Sequence, residues 1–186
     1  ESEGGWHLYV NGTLQGDRFS GRMLTASLLD NGLSLREQSC GASREFSFFF
    51  ALSDVRPWTA ETPYLYDLFL TLQGEGDCEV LRFCVGFRSV RIDGERFLFN
   101  ETPIKFKGVN HHDTNEKTGY VMTAQDLEKD VKLMKEFNVN AVRTSHYPPD
   151  PVFLSLCDQY GLYVIDEADI ETHGMWQDKL RINALS

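Results

Sequence analysis

Long apolar runs are missing from this chain. No stretch approaches about 18 uninterrupted apolar residues, which excludes a membrane-spanning helix. Paired cysteines are missing as well. Cys40, Cys78, Cys84 and Cys157 form no Cys-x-x-Cys unit, so zinc and dithiol-redox readings lose their support. Thiols scattered in this way predict four free cysteines and a reducing, cytoplasmic setting. Positive charge is scarce: 18 Lys and Arg stand against 28 Asp and Glu, a net charge of −10. Binding to a phosphate backbone needs clustered cations, so nucleic acid is excluded as the expected partner. The chain opens Glu1-Ser2-Glu3-Gly4-Gly5, without Met and without a charged-then-apolar leader. This predicts a piece processed or cut from something longer.

What is present is ordinary for a globular protein, with 41% hydrophobic and 25% charged residues in 186. Lysine divides the chain. Residues 1–91 hold eight Arg and no Lys, whereas residues 92–186 hold seven Lys and three Arg. The periodicity changes at about the same place. In the first part, Trp6–Val10 alternates into the turn pair Asn11-Gly12, and Met23–Leu29 closes on Asp30-Asn31-Gly32. Glu45–Phe50, Tyr66–Leu72 and Val80–Phe87 are further short strands. This spacing predicts an all-β sandwich over residues 1–91, serving as a scaffold. A small hairpin is expected over 91–100, turning at Asp93-Gly94.

The second part, 92–186, alternates strand and helix. Ile104–Val109, Asn140–Arg143 and Leu162–Ile165 read as strands. Between them, Thr123 and Asp126 cap one helix whose Leu127, Val131 and Met134 form a buried stripe. Asp150-Pro151 opens a second helix and Gly161 ends it. A βαβαβ unit can open a doubly wound sheet or an α/β barrel. No Gly-x-Gly-x-x-Gly follows the first strand, which disfavours dinucleotide binding.

Polar clusters follow each strand instead: Asn110-His111-His112-Asp113, then Arg143-Thr144-Ser145-His146-Tyr147-Pro148, then Asp166 to Gly174. Carboxyl ends of strands form the active face of an α/β barrel. Glu171 and His173 are separated by one residue, which in an extended segment aims both side chains the same way. A carboxylate beside an imidazole suits a divalent ion, but two ligands do not specify which.

Four stretches resemble one family: Val85-Gly86-Phe87-Arg88, Lys107-Gly108-Val109-Asn110, Asn140 to Pro148, and Asp166 to Met175. They are similar to the junction and early barrel of glycoside hydrolase family 2, in its β-galactosidase branch. Pro57-Trp58 through Pro63-Tyr64-Leu65-Tyr66 resembles late strands of the immunoglobulin-like domain before that barrel. The resemblance covers most of residues 55–175. The Ser-His-Tyr-Pro stretch is shared with β-glucuronidases, whereas Ile170 to Gly174 is closer to β-galactosidases.

The resemblance implies a multi-domain chain: an immunoglobulin-like sandwich, then about three strands and two helices of an incomplete (β/α)8 TIM barrel. It implies a parent that hydrolyses terminal β-D-galactosides with retention, assembles as a homo-oligomer and uses Mg2+. His112 and His146 match histidines that contact the galactosyl ring, and Arg143 matches an arginine that holds active-site carboxylates. Asn110 matches a residue of the pocket floor. Glu171 and His173 match the magnesium ligands. His111 departs from the basic Arg or Lys of the pattern and receives no role. The family's acid/base Glu, after an Asn on strand four, and its nucleophile Glu, on strand seven, have no counterpart here. No catalytic residue is therefore assigned, Asp166 and Glu167 are read as structural support, and the chain alone is expected to be inactive. The free strand edge of a partial barrel predicts self-association or a disordered barrel part beside a stable sandwich. Two alternatives stay open: a β-glucuronidase or β-mannosidase relative, and a non-catalytic sugar-binding or assembly module.

Overall fold

The computed structural model describes residues 5–16, 19–74 and 76–169. They divide into two compact units, one of residues 1–59 and 64–104, the other of residues 60–63 and 105–186. The division falls after Ile104 and not after Arg91. The reason is that the hairpin runs on: Ile104 N–H donates to the Phe97 carbonyl at 3.3 Å, which keeps residues 90–104 with the first unit.

In chain order the first unit forms β1 (Trp6–Thr13), β2 (Met23–Asp30), β3 (Leu33–Gly41), β4 (Glu45–Leu52), β5 (Tyr66–Gln73) and β6 (Cys78–Val85). The strands β7 (Val90–Asp93), β8 (Arg96–Phe99) and β9 (Thr102–Pro103) follow. Strand β1 pairs antiparallel with β4, and a four-stranded antiparallel sheet runs β3-β2-β5-β6. Alternation sends every second side chain inward. Leu24, Ala26 and Leu28 of β2 and Tyr66, Leu68 and Leu70 of β5 therefore meet Val10 of β1 and Phe48, Phe50 and Leu52 of β4 in one core. Two sheets facing across one core make a sandwich. Gln38 of β3 reaches the other sheet. Its side-chain amide donates to the Phe49 carbonyl at 2.7 Å and accepts from Phe49 N–H at 3.4 Å. Asn100 secures the hairpin by donating to the Trp58 carbonyl at 2.9 Å and accepting from Ser89 N–H at 2.8 Å.

The second unit holds β10 (Gly108–His111), α1 (Ala124–Glu136), β11 (Ala141–Thr144), α2 (Pro151–Tyr160) and β12 (Tyr163–Ile165). The three strands are parallel and lie in sequence order, β10-β11-β12. The first of them begins at Gly108 and not at Ile104, because Ile104 is bonded to the hairpin while Gly108 to His111 pair with Ala141 to Thr144. Helix α1 opens on a complete capping box between Thr123 and Asp126. Helix α2 opens on Asp150, whose carboxylate accepts from Val152 N–H at 2.8 Å, with Pro151 in its first turn. It closes on Gly161 in the left-handed region, at φ 82°. Leu127 and Val131 of α1, Phe153 and Cys157 of α2, Val142 of β11 and Leu162 are buried together. Met134 packs against this core from its edge. Each large side chain so buried stabilises by roughly 1.5–3 kcal/mol before entropy is counted. Lys135, in the last turn of α1, donates to the carbonyls of Ala60 at 3.0 Å and Gly161 at 2.8 Å.

Candidate active site

Strand register brings the first two site residues side by side. Asn110 of β10 pairs with Arg143 of β11, and Arg143 with Ile165 of β12. Val142 lies in the helix-side core, so its neighbour Arg143 faces the other way. Its guanidinium meets three side chains. Nη1 donates to Asn110 Oδ1 at 3.5 Å, Nη2 donates to Glu167 Oε1 at 2.8 Å, and Nη2 lies 3.3 Å from His146 Nδ1. Glu167 Oε2 is 2.8 Å from the same Nη2 and 3.4 Å from His146 Nδ1. The hydrogen bond from Arg143 holds the Glu167 carboxyl below the ordinary carboxylate range, with desolvation opposing and His146 adding a smaller pull in the same direction.

Thr144 fixes where Glu167 leaves β12. This side chain is buried; its hydroxyl accepts from Glu167 N–H at 2.9 Å and donates to Asp166 Oδ1 at 3.1 Å. Ser145 ties β11 back to β10, through its N–H at 2.9 Å and its hydroxyl at 3.1 Å to the His111 carbonyl. His112 Nδ1 in turn donates to the Ser145 carbonyl. A carbonyl only accepts, so Nδ1 carries the proton, and Nε2 of a neutral ring is left as an acceptor for a hydroxyl. Arginine, carboxylate and two imidazoles thus form a polar, pre-organised edge that can hydrogen-bond a polyhydroxylated ligand.

Arg143 and His146 meet at Glu167, Asn110 meets Arg143, and His112 is bonded to the carbonyl of Ser145, the residue before His146. Glu171 and His173 lie outside the described residues. Among the described residues no group of three or more His, Cys, Asp or Glu side chains is placed to hold a metal ion. His111 turns away from the cluster. It is buried, stacked on Phe153 at 4.2 Å between ring centroids, with Nε2 3.2 Å from Asp130 Oδ2 and Nδ1 3.5 Å from Asp113 Oδ1. Sequence reasoning does not single out the two tyrosines whose rings lie near His112. The Tyr147 ring stands edge-on at 5.1 Å and the Tyr120 ring at 5.8 Å. Tyr147 sits within the Ser-His-Tyr-Pro stretch, which was the available signal; nothing local marks Tyr120.

Parallel strands in sequence order, joined by helices and carrying an arginine–carboxylate–histidine cluster at their carboxyl ends, define an α/β unit with the active-face arrangement of an α/β barrel. Residues 90–185 match "Glycosyl hydrolases family 2, TIM barrel domain". The chain belongs to this family of glycoside hydrolases. A β-galactosidase of Streptococcus thermophilus is 47% identical over 142 residues, which is 76% of this chain and 14% of that protein. A β-galactosidase of Actinobacillus pleuropneumoniae is 50% identical over 123 residues, 66% of this chain and 12% of that protein. Among solved structures, a β-glucuronidase of Bifidobacterium dentium, complexed with coumarin-3-O-glucuronide, superposes with a TM-score of 0.79 at 30% identity. That match covers 87% of this chain and 27% of the other. The chain thus spans about an eighth of the length of the curated relatives it matches. No helix among the described residues is long and apolar enough to cross a membrane.

Proposed function

We propose that the parent of this chain is a retaining β-galactosidase that hydrolyses terminal β-D-galactosides. On this reading the first unit is an immunoglobulin-like domain, and β10 to β12 with their two helices open a (β/α)8 barrel. The observation that carries the reading is the strand-end cluster of Asn110, Arg143, His146 and Glu167, with His112 alongside. A galactosyl transition state spreads oxocarbenium charge over a ring bearing several hydroxyls. His112 Nε2 accepts from one such hydroxyl. Arg143 and Glu167 hold each other and His146 in place before substrate arrives, so little reorganisation is left for the reaction itself.

A retaining glycosidase also needs two carboxylates roughly 5–5.5 Å apart. In this reading both come from later barrel strands of the parent, so the 186-residue chain alone is inactive. Glu171 and His173 would hold the Mg2+ ion, whose charge would strengthen hydrogen bonding to the sugar. The parent acts as a homo-oligomer. Identities of 47–50% to curated β-galactosidases support galactose as the sugar. Structural likeness to the B. dentium β-glucuronidase supports glucuronide as the second reading.

The test is a panel of β-galactoside, β-glucuronide and β-mannoside substrates given to the full-length protein, with the isolated chain run beside it. Galactoside cleavage by the parent and none by the chain is the expected result. Preference for glucuronide would overturn the choice of sugar, and hydrolysis by the pure chain would overturn the fragment reading.

A further inference from the structure

His111 ends β10, and its ring is buried against the helices, while the next residue, His112, stands beside the strand-end cluster. Three elements grip the buried ring. Phe153 of α2 stacks on its face at 4.2 Å between centroids. Asp130 of α1 meets Nε2 at 3.2 Å, and because a carboxylate only accepts, that nitrogen carries a proton. Asp113, from the loop after β10, lies 3.5 Å from Nδ1 and also accepts from the N–H of Asp150, the N-cap of α2, at 3.3 Å. A path of bonds leads from this ring to the next. The His111 carbonyl accepts from the N–H and the hydroxyl of Ser145, at 2.9 and 3.1 Å. The Ser145 carbonyl then accepts from His112 Nδ1. Each peptide unit is planar, so a fixed side chain and a fixed carbonyl at His111 leave the chain little freedom as it enters His112.

We propose that His111 is a positioning residue for His112. By locking the end of β10 to α1 and α2, it holds the Ser145 carbonyl where His112 Nδ1 must donate, and so keeps Nε2 of His112 free as the acceptor for a sugar hydroxyl. This rests on the glycosidase reading of the same site. Without the clamp His112 turns or takes its other tautomer, and the hydroxyl loses an oriented acceptor. The bond to Asp130 is the decisive part of the grip. Stacking on Phe153 is dispersive and lets the ring slide, whereas a hydrogen bond is directional and fixes where the ring comes to rest.

The experiment pairs steady-state kinetics of the full-length enzyme on lactose with side-chain 15N NMR of the 186-residue chain, which has five histidines. His111→Phe keeps the stack and loses the bond. His111→Gln keeps an amide donor for Asp130, and Asp130→Ala removes the acceptor from a part-exposed position on α1. In His111→Phe and in Asp130→Ala, KM rises about three- to tenfold with kcat retained, the loss of about one hydrogen bond in substrate binding. In the same two variants the His112 signals pass from a fixed Nδ1–H ring to an average of two tautomers. In His111→Gln both readouts stay near wild type. Loss of folded protein alone would lower kcat through the active fraction and leave KM unchanged, so that pattern overturns the proposal. A His112 ring that keeps its Nδ1–H in both variants, or lacks a fixed one in the wild-type chain, overturns it too. A wild-type parent that cleaves no β-galactoside overturns the glycosidase reading instead, and the NMR arm still decides whether His111 holds His112.

Discussion

Alanine at Gly161 would meet two separate costs, and the structure allows them to be separated. Gly161 closes α2 at φ 82°, a conformation that costs an L-residue about 1–2 kcal/mol. A Cβ there would also lie 2.2 Å from the Ala60 carbonyl oxygen and 2.9 Å from its carbon. Those are backbone atoms, so residues 60–63 must shift, and forced repacking adds about 1–3 kcal/mol. The shift also disturbs the Ala60 carbonyl that accepts from Lys135 at 3.0 Å. Gly119 is the control. Its φ is 66°, but nothing lies within 4 Å of the position a Cβ would take, so Gly119→Ala carries the conformational cost alone, about 1–2 kcal/mol. Cys157 is a built-in reporter, being fully buried, with burial pushing its thiol up to about 12. It therefore reacts only when the second unit opens. Its alkylation rate, read by mass spectrometry over a urea series, gives the opening free energy of each variant. Gly161→Ala is expected to fall below Gly119→Ala by about 1–3 kcal/mol. Equal losses in the two variants, within about 0.5 kcal/mol, would show that contact with Ala60 does not hold this unit together.

Thr123→Ala removes half of the α1 capping box and should lower the same opening free energy by about 1 kcal/mol. Arg143→Ala in the full-length enzyme should reduce kcat/KM about a hundredfold, because Glu167 and His146 lose their common anchor; steady-state kinetics checks it. The Glu167 carboxyl is depressed on folding by Arg143, so the pairing is complete above the ordinary value of 4.5 and is lost as pH falls through the lower, folded value. A carboxyl NMR titration should therefore find Glu167 still ionised at pH 4.5 in the native chain and titrating higher in Arg143→Ala. Chelator treatment of the parent should depress galactosidase activity, Mg2+ should restore it, and Glu171→Gln should raise the Mg2+ concentration needed.

Local chemistry was legible in the sequence and tertiary partnership was not. Thr123, Asp150-Pro151 and Gly161 mark helix ends because each satisfies or avoids a backbone group within a few residues of itself. Strand β3 went unseen: its Leu33-Ser34-Leu35-Arg36-Glu37 stretch lies at a sheet edge with Leu35 only partly buried, so it carries little apolar signal. Periodicity predicts one strand over Ile104–Val109 because it does not reveal which partner a segment takes. Asn110, Arg143 and His146 could be picked out because each ends a strand or follows one. That Glu167 is the carboxylate on Arg143 depends on the Thr144 hydroxyl that fixes the exit from β12, and no spacing rule encodes it. Tyr120 was hidden for the same reason, since its neighbour His112 is brought near by the path of a loop.

The side-chain amide of Gln38 has a consequence for how the sandwich avoids unwanted company. It takes both the N–H and the carbonyl of Phe49, the two groups that an added strand would use to pair with β4. An unpaired strand edge is a template for aggregation, and proteins blunt such edges with charges, bulges or covers. Here one amide from the facing sheet acts as a one-residue counterfeit strand. Any peptide seeking to extend β4 must first evict it, and strand addition is interrupted at the middle of that edge.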